Sequence, residues 1–582
     1  MGQFRVLGES AEVVVVIVTY RSAKDLPALL DSLRSEADHT SIRVILADNQ
    51  SDDGSLQFAQ SYSDVIAIDT GGNLGYAGGV NRAMAYAGDI PAVLVLNPDS
   101  VVQPGCIRAL LNRLEGNVGA VVPLLKDGSG KLAHSIRNEP GLLRALSDAL
   151  LGRLWQSRPR WLSEFVRDDR MYRTARRIDW ATGAAVMVAR RVWDTVGQWD
   201  ERFFLYSEET DFFSRIRAAG YSVWFEPAAE VLHRGGGSGN SPQLNALLIR
   251  NKVRYFSKHR PRRAKLFRLI IILGLLLRRK DRRQDLSLQI LCNPDLESGL
   301  PAAEYPAVSA QQFPSASIII PAHNECAVID RTLEGLDQLI AAGTVEVIVV
   351  PNGCTDDTAD RARSHRGVKV VELNKGSKVA ALNLGDAHAT SWPRLYLDAD
   401  IEVNQEALAQ AVSVLAGDGI HTARPAFVWN LEGASPLTRA YYRARWRMPS
   451  MTTAIWGAGV YGLSQAGHKI LGEFPMLTGD DLLVERTFPP GRKYIASGPA
   501  VRVRMPLKLS DLIGVLARSR RGGTEQSLDT GRTSARELLH TMSDPGSCID
   551  AVCFALISAI ARIRAHQTSQ GWERDHSTRA SQ

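Results

Sequence analysis

The sequence predicts an α/β protein of two parallel-sheet domains in tandem, followed by helical C-terminal extensions. Three observations predict it. Fully apolar, β-branched runs alternate with helix-like stretches in each half, the pattern of strands buried on both faces. The polar punctuation after those runs recurs in the same order some 300 residues later. An aperiodic stretch with several prolines, residues 291–314, separates the halves.

Taken in order, the first half offers strands at 13–18 (VVVVIV), 42–47 (IRVILA) and 92–96 (AVLVL), with a helix such as LPALLDSLRSE (26–36) between. The second offers 317–320 (SIII), 345–350 (VEVIVV) and 394–397 (RLYL). Tyr20 to Asn49 spans 29 residues, as does His323 to Asn352; Asn49 to Asp99 spans 50, against 48 from Asn352 to Asp400. Gly183 precedes Glu209 by 26 residues and Gly457 precedes Asp481 by 24. One agreement is coincidence; the ordered series reads as a duplicated domain. The expected boundaries are a first domain over 1–257, a basic amphipathic helical segment over 258–290, the linker 291–314, a second domain over 315–525, and a C-terminal helix with a disordered tail over 526–582.

Composition narrows the function. Over 582 residues the charge is 69 − 62 = +7. Residues 258–283 alone hold 11 Lys/Arg against one Asp, or +10, so the remainder is −3 and a general nucleic-acid coat is excluded. The six cysteines form no CxxC pair, which reads as reduced thiols of a cytoplasmic protein. MGQFRVLGES lacks a signal-peptide pattern. LIIILGLLL (269–277), flanked by arginines, is too short to span a bilayer and suits an interfacial helix on anionic lipid; 549–565 is a second, weaker candidate. The expectation is peripheral contact with the inner face of the cell membrane.

The motifs lie where the strands end, the edge at which open α/β sheets bind ligands. Asp398 and Asp400 are two apart, so an extended backbone would point both the same way, as a pair able to hold Mg²⁺ or Mn²⁺. An isolated DxD is more often a solvated turn. Asp48, Asn49 and Asp53 match Asn352 and Asp356, as nucleoside contacts or as Asx-turns capping the next helix. Asn73 and Gly75 open a glycine-rich stretch whose place in the second half is taken by Lys375 and Lys378. Glu208 and Glu209, and likewise Asp480 and Asp481, precede amphipathic helices. They serve as dipole partners or, in a cleft, as a general base.

PAHNE (321–325), NGCTDDT (352–358), the lysine after Gly376, DAD (398–400) and GDD (479–481), in this order, resemble the inverting family 2 glycosyltransferases with a GT-A fold. VTYRS, ADNQSDDGS, NLGYAGGVN, NPDS, TGAAVMVARR, WDERFFLYSEETD and VLHRGGGS in the first half resemble that family's rhamnosyl- and galactofuranosyltransferase branch. The resemblance implies a nucleotide-diphospho-sugar (UDP- or dTDP-linked) donor, a divalent cation on its phosphates, and a glycan or polyprenyl-linked glycolipid acceptor. It implies Glu209 and Asp481 as general bases beside Glu208 and Asp480. It implies Asp99 and Asp400 as metal or diphosphate ligands, Asp398 assisting and His233 completing the first shell. Thr19, Tyr20, Asp48, Asn49, Asp53, Asn73, Gly75 and Asn97 would contact the first donor. Pro321, His323, Glu325, Asn352, Asp356, Lys375, Lys378 and Asp398 would contact the second.

The sequence departs from the family at three points. Asn97-Pro98-Asp99 lacks one carboxylate, and Pro351 stands where an Asp is expected before Asn352. The second half has no late His but carries Arg520 and Arg521, which resemble a diphosphate-binding segment and neutralise phosphate bidentately. Two other readings remain open here: one active domain beside a nucleotide-sugar-binding scaffold, and a nucleotidyltransferase.

Overall fold

The computed structural model describes residues 2–152, 154–156, 158–235, 241–278, 285–477, 479–525 and 530–567. It divides into two compact units, Met1–Tyr305 and Pro306–Gln582, each with its own sheet.

In the first unit the strands are β1 (Val13–Thr19), β2 (Ile42–Asp48), β3 (Val65–Asp69), β4 (Ala92–Leu96), β5 (Ser100–Val102), β6 (Val118–Lys126), β7 (Ile136–Arg137), β8 (Arg176–Ile178), β9 (Trp180–Ala181), β10 (Ala185–Ala189) and β11 (Ser222–His233). The sheet runs β3-β2-β1-β4-β10-β6-β11-β5, with β8 on β11 and a small separate β7-β9 ribbon. β3, β2, β1 and β4 are parallel, whereas β10 enters antiparallel between β4 and β6. Every residue of β1 and β2 is buried, as continuous apolar strands under helices on both faces require.

The second unit repeats this plan with β12 (Ala316–Ala322), β13 (Val345–Pro351), β14 (Val368–Val370), β15 (Arg394–Leu397), β16 (Thr422–Asn430), β17 (Val460–Leu463) and β18 (Lys493–Arg504). Its order β14-β13-β12-β15-β17-β16-β18 matches the first seven positions of the first sheet, with the reversed strand β17 in the place of β10 and no counterpart of β5 or β8 among the described residues. The tandem duplication read from spacing is therefore a duplication of topology.

Small features repeat as well. Arg21 and Asn324, each just past the first strand, both sit at φ 54°, and Gln50 (φ 56°) corresponds to Gly353 (φ 57°). Asp53 accepts hydrogen bonds from the Ser55 amide and hydroxyl through one oxygen and from the Ala23 amide through the other. Asp356 does the same with Thr358 and the Cys326 amide. Both carboxylates tie the loop after the second strand to the loop after the first.

Three expectations change. Residues 291–314 are not a bare tether: Asp285–Cys292 and Pro294–Gly299 are helical, and the Glu304 amide donates to the Asn73 carbonyl. Much of the basic segment's charge is spent inside the fold. Lys258 pairs with Asp200 and Asp211, Arg278 with Asp148, and Arg268 donates to the Leu291 carbonyl. Residues 279–283 and the tail 568–582 lie outside the described residues. Finally, the C-terminal helix starts earlier than 549, because Asp544 caps it through the Ser547 amide. Pro545–Ala565, at 21 residues, is long and apolar enough to cross a membrane, the one such helix among the described residues. One face of it packs within the second unit, with Phe554 stacked on Tyr441 and Asp550 paired to Arg443 and Arg447.

Because each brace satisfies two backbone amides and a hydroxyl, Asp53→Ala and Asp356→Ala should each destabilise their own unit by about 1–2 kcal/mol. Denaturant unfolding of the single variants measures this, and an unchanged midpoint for either would remove its structural role.

Candidate functional site

At the carboxyl edge of the first sheet, Thr19 donates its hydroxyl to Asp48 at 2.7 Å, and Asp48 also accepts from the Ser51 amide and hydroxyl. Asn49 donates to the Gly75 carbonyl, and the Asn73 side chain accepts from the Gly75 amide. These residues form one stitched floor. Gly75 (φ 74°) is pressed so closely on the Phe204 carbonyl that no side chain fits there. Tyr20 stands exposed above, with the Arg21 guanidinium 5.3 Å from its ring.

Asp99 follows β4. His233 Nε2, from the end of β11, lies 3.2 Å from its Oδ1, and the Gly235 amide donates to Oδ2. Asn97 Nδ2 lies 3.3 Å from the same imidazole nitrogen. Burial opposes the charge on Asp99, yet its hydrogen bond with His233 holds its pKa below the ordinary carboxylate value.

Glu208 and Glu209 open the helix Glu208–Ala218, behind Ser207 at φ 72°. Burial, then Glu209 beside it, pushes Glu208 well up, and burial raises Glu209 too. One oxygen of each is buried without a hydrogen-bond partner, while backbone amides at the helix start bond to both carboxylates. Tyr76 links the parts. Its hydroxyl donates to the Gly183 carbonyl, and burial followed by Glu208, Glu209 and Asp99 raises its pKa. Arg137 is the cation whose charge acts on Glu209. Asp211, one helical turn on, is a structural ion-pair hub for Arg215, Lys258 and His259.

The loop delivering Glu208 is strained, with Phe204, Tyr206 and Ser207 all at positive φ. The fully buried Asn251 holds it. Its amide nitrogen lies 2.6, 2.9 and 3.3 Å from the Phe203, Leu205 and Tyr206 carbonyls.

In the second unit a cleft is lined by Pro321, Lys378, Asp398, Gly457, Asp480 and Asp481, with Tyr396 and Tyr461 at its base. Lys378 Nζ bridges Asp398 at 2.8 Å and Asp480 at 3.0 Å, and Tyr461 donates to Asp480. Burial disfavours the ammonium, but Asp398 and Asp480 outweigh it and raise the Lys378 pKa. Burial, then Asp480, pushes Asp481 up to about 6 against the pull of Lys378, while the Gly457 amide donates to it.

Other expectations land differently. The extended backbone supposed for Asp398 and Asp400 does not exist: β15 stops at Leu397 and the chain turns at Ala399-Asp400. Asp398 faces the cleft, whereas the Asp400 carbonyl accepts from Arg331. Asn352 braces its own loop by donating to the Ala322 carbonyl and accepting from the Ser377 amide, while its carbonyl lies 2.5 Å from His323 Nδ1. The Glu325 amide donates to Thr358, and Lys375 is exposed on the following loop. Arg520 bonds the Ser558 carbonyl in a helix–helix contact, and the Arg521 side chain lies outside the described residues. Tyr76, Arg137, Asn251 and Tyr461 were not singled out from sequence. Tyr76 sits inside NLGYAGGVN and was within reach of a motif reading; the other three carry no local signal.

The model of the glycosyl transferase family 2 matches residues 14–185 and 317–455, once in each unit and together over half of the chain. The chain belongs to glycosyl transferase family 2. It is a glycosyltransferase, and both sheets are those of the GT-A fold. The chain is 36% identical over 254 residues to the N-acetylglucosaminyl-diphospho-decaprenol L-rhamnosyltransferase of Mycobacterium tuberculosis, covering 41% of this chain and 82% of that protein. It is 25% identical to the rhamnosyltransferase WbbL of Escherichia coli, covering 38% and 83%. Among solved structures it is similar to a mannosyltransferase of Pyrobaculum calidifontis in complex with GDP-Man and Mn²⁺, at 20% identity and a TM-score of 0.32, covering 45% of this chain and 78% of that one.

With Glu209→Gln silencing the first site, turnover by the second should rise as pH climbs through about 6, since Asp481 accepts a proton only when ionised. A rate flat across that value would contradict Asp481 as base. The same elevation makes this carboxyl's contribution to stability fall as pH rises through about 6, because the folded state holds the proton more tightly. Asn251→Ala should cost about 1–3 kcal/mol and lower turnover at the first site. Full turnover in a destabilised but folded variant would show that the loop holds itself.

Proposed function

We propose that the chain is a bifunctional inverting glycosyltransferase, each unit using its own nucleotide-diphospho-sugar, UDP- or dTDP-linked. On this reading the first unit acts as a rhamnosyltransferase on a polyprenyl-diphosphate-linked glycolipid acceptor, at the inner face of the cell membrane. The observation that carries it is the repeated acidic pair: Glu208-Glu209 and Asp480-Asp481, each at a helix start beyond the sheet edge, the first member buried and the second half-buried.

The donor diphosphate would lie by Asp99 in the first unit and Asp398 in the second. Glu209 or Asp481 would draw the proton from the acceptor hydroxyl as its oxygen attacks the anomeric carbon, while the nucleoside diphosphate leaves from the opposite face. Burial suits both carboxyls to this task, because a raised pKa makes a stronger base once the proton is lost.

The residues of the first unit fit a divalent cation. Asp99 Oδ1 and His233 Nε2 face one another at 3.2 Å, and no group of three or more such side chains exists among the described residues. That leaves most of the coordination to phosphate and water, the usual arrangement for Mg²⁺, and Mn²⁺ would suit the same oxygen-rich set. When bound, such an ion neutralises the departing diphosphate. In the second unit the Lys378 ammonium already sits on Asp398, so positive charge for the leaving group is built into the chain.

Against a panel of nucleotide sugars with a polyprenyl-diphosphate-linked acceptor, the full chain should consume two donors or add two sugars. Glu209→Gln should abolish one transfer and Asp481→Asn the other, each by about 10²–10⁴-fold. If one variant left both transfers intact, that unit would be a binding scaffold.

A further inference from the structure

In the first unit the helices Leu142–Leu151 and Ala264–Leu277 cross at very close range. A Cβ on Gly274 would meet Ala149 at 3.1 Å. Their inner faces are buried, with Ala145, Phe267 and Ile270 packed together and Phe256 stacked on Phe267 at 3.9 Å. The outer faces are the reverse of a soluble surface. Leu266, Leu269, Leu273, Leu276 and Leu277 form an exposed row on one helix, and Leu143 and Leu150 on the other. The row passes from Leu266 to Leu277 with one charged residue, Arg268, and its guanidinium is turned onto the Leu291 carbonyl. Beyond the first helix, Leu154 is 85% exposed and Trp155 and Trp161 stand out from the surface.

Positive charge borders this leucine field. Although Lys258 and Arg278 are committed to internal pairs, Arg263 and Lys265 are exposed at the start of the row. The surrounding segment carries +10 in a chain whose remainder is −3. A large apolar field on a folded surface marks an interaction site. The basic border selects the partner. Self-association across a two-fold axis would set like charge against like charge, whereas an anionic bilayer accepts leucines into its acyl boundary, tryptophans at headgroup level and cations at its phosphates.

We propose that these two helices are the membrane-docking surface of the first unit, lying in the interface of an anionic bilayer. The placement serves the site. Arg137, whose charge acts on Glu209, lies five residues before the first helix begins at Leu142. A unit seated this way would hold its base near a headgroup-level acceptor. That last step rests on the lipid-linked acceptor proposed above, but the binding surface does not.

The full chain should sediment with phosphatidylcholine vesicles containing phosphatidylglycerol, and far less with phosphatidylcholine alone. Replacing Leu269→Glu and Leu273→Glu together should lower the bound fraction at least about tenfold; both side chains are exposed, so the fold should survive. Arg263→Glu with Lys265→Glu should weaken binding and reduce its salt dependence. Sedimentation of the leucine variant equal to the native chain would overturn the proposal. So would a native dimer by light scattering that the leucine variant abolishes without loss of vesicle binding. Because no transfer is measured, failure here leaves the enzymatic reading standing.

Discussion

Everything at the two sites depends on holding two neighbouring carboxylates, one buried and one half-buried, at the start of a helix. Adjacent acids out of water repel each other and lose hydration, so one of them must hold its proton tightly or find compensation. Position supplies part of it: the first turn of a helix presents free amides and the positive end of its dipole. The approach is left-handed in both units, through Ser207 at φ 72°, where a side chain is strained, and through Gly479 at φ 92°, where glycine is not. Such an arrangement costs stability, and it is the kind that proton-abstracting sites use.

The two units compensate differently. In the first, no lysine pairs with the acidic residues among the described residues; Glu209 feels Arg137 from the β7 ribbon, and Asp99 is paired with His233. In the second, Lys378 spans Asp398 and Asp480, coupling the end of β15 to the acidic pair through one ammonium. A ligand that draws Lys378 away from Asp480 therefore alters the field on Asp481, while the first unit has no such connection. Duplication kept the scaffold and separated the electrostatics, which favours different substrates over a repeated reaction.

The fold was legible because strand burial is written in runs of residues. VVVVIV and SIII announce themselves, and the constant distance from Tyr20 to Asn49 and from His323 to Asn352 follows from one β-α-β unit built twice. Within the sites, legibility stopped where a role depends on a turn or on a distant partner. Asp398-Ala399-Asp400 reads as a matched pair only if the strand continues, and it ends at Leu397. Asp53 and Asp356 look like ligand contacts in a motif, but their oxygens are occupied by loop amides and hydroxyls. Asn251 could not be read at all, since its three carbonyl partners lie 45 to 48 residues away.

The segments shared with the family end at 185 and 455, whereas the acidic pairs begin at 208 and 480. The family model thus stops short of both acidic pairs, although the similarity to the Mycobacterium tuberculosis rhamnosyltransferase, over 254 residues, runs beyond residues 14–185. Each acidic pair enters later, on a helix whose approach is held by residues beyond the match to the family model. In the first unit these are Asn251, Lys258 and His259 of one long helix, Pro242–His259. That helix also packs Phe256 beneath the leucine-faced pair. Base placement and the apolar outer surface therefore share one rigid element, so a change in how that surface is held bears directly on the loop that carries Glu208 and Glu209.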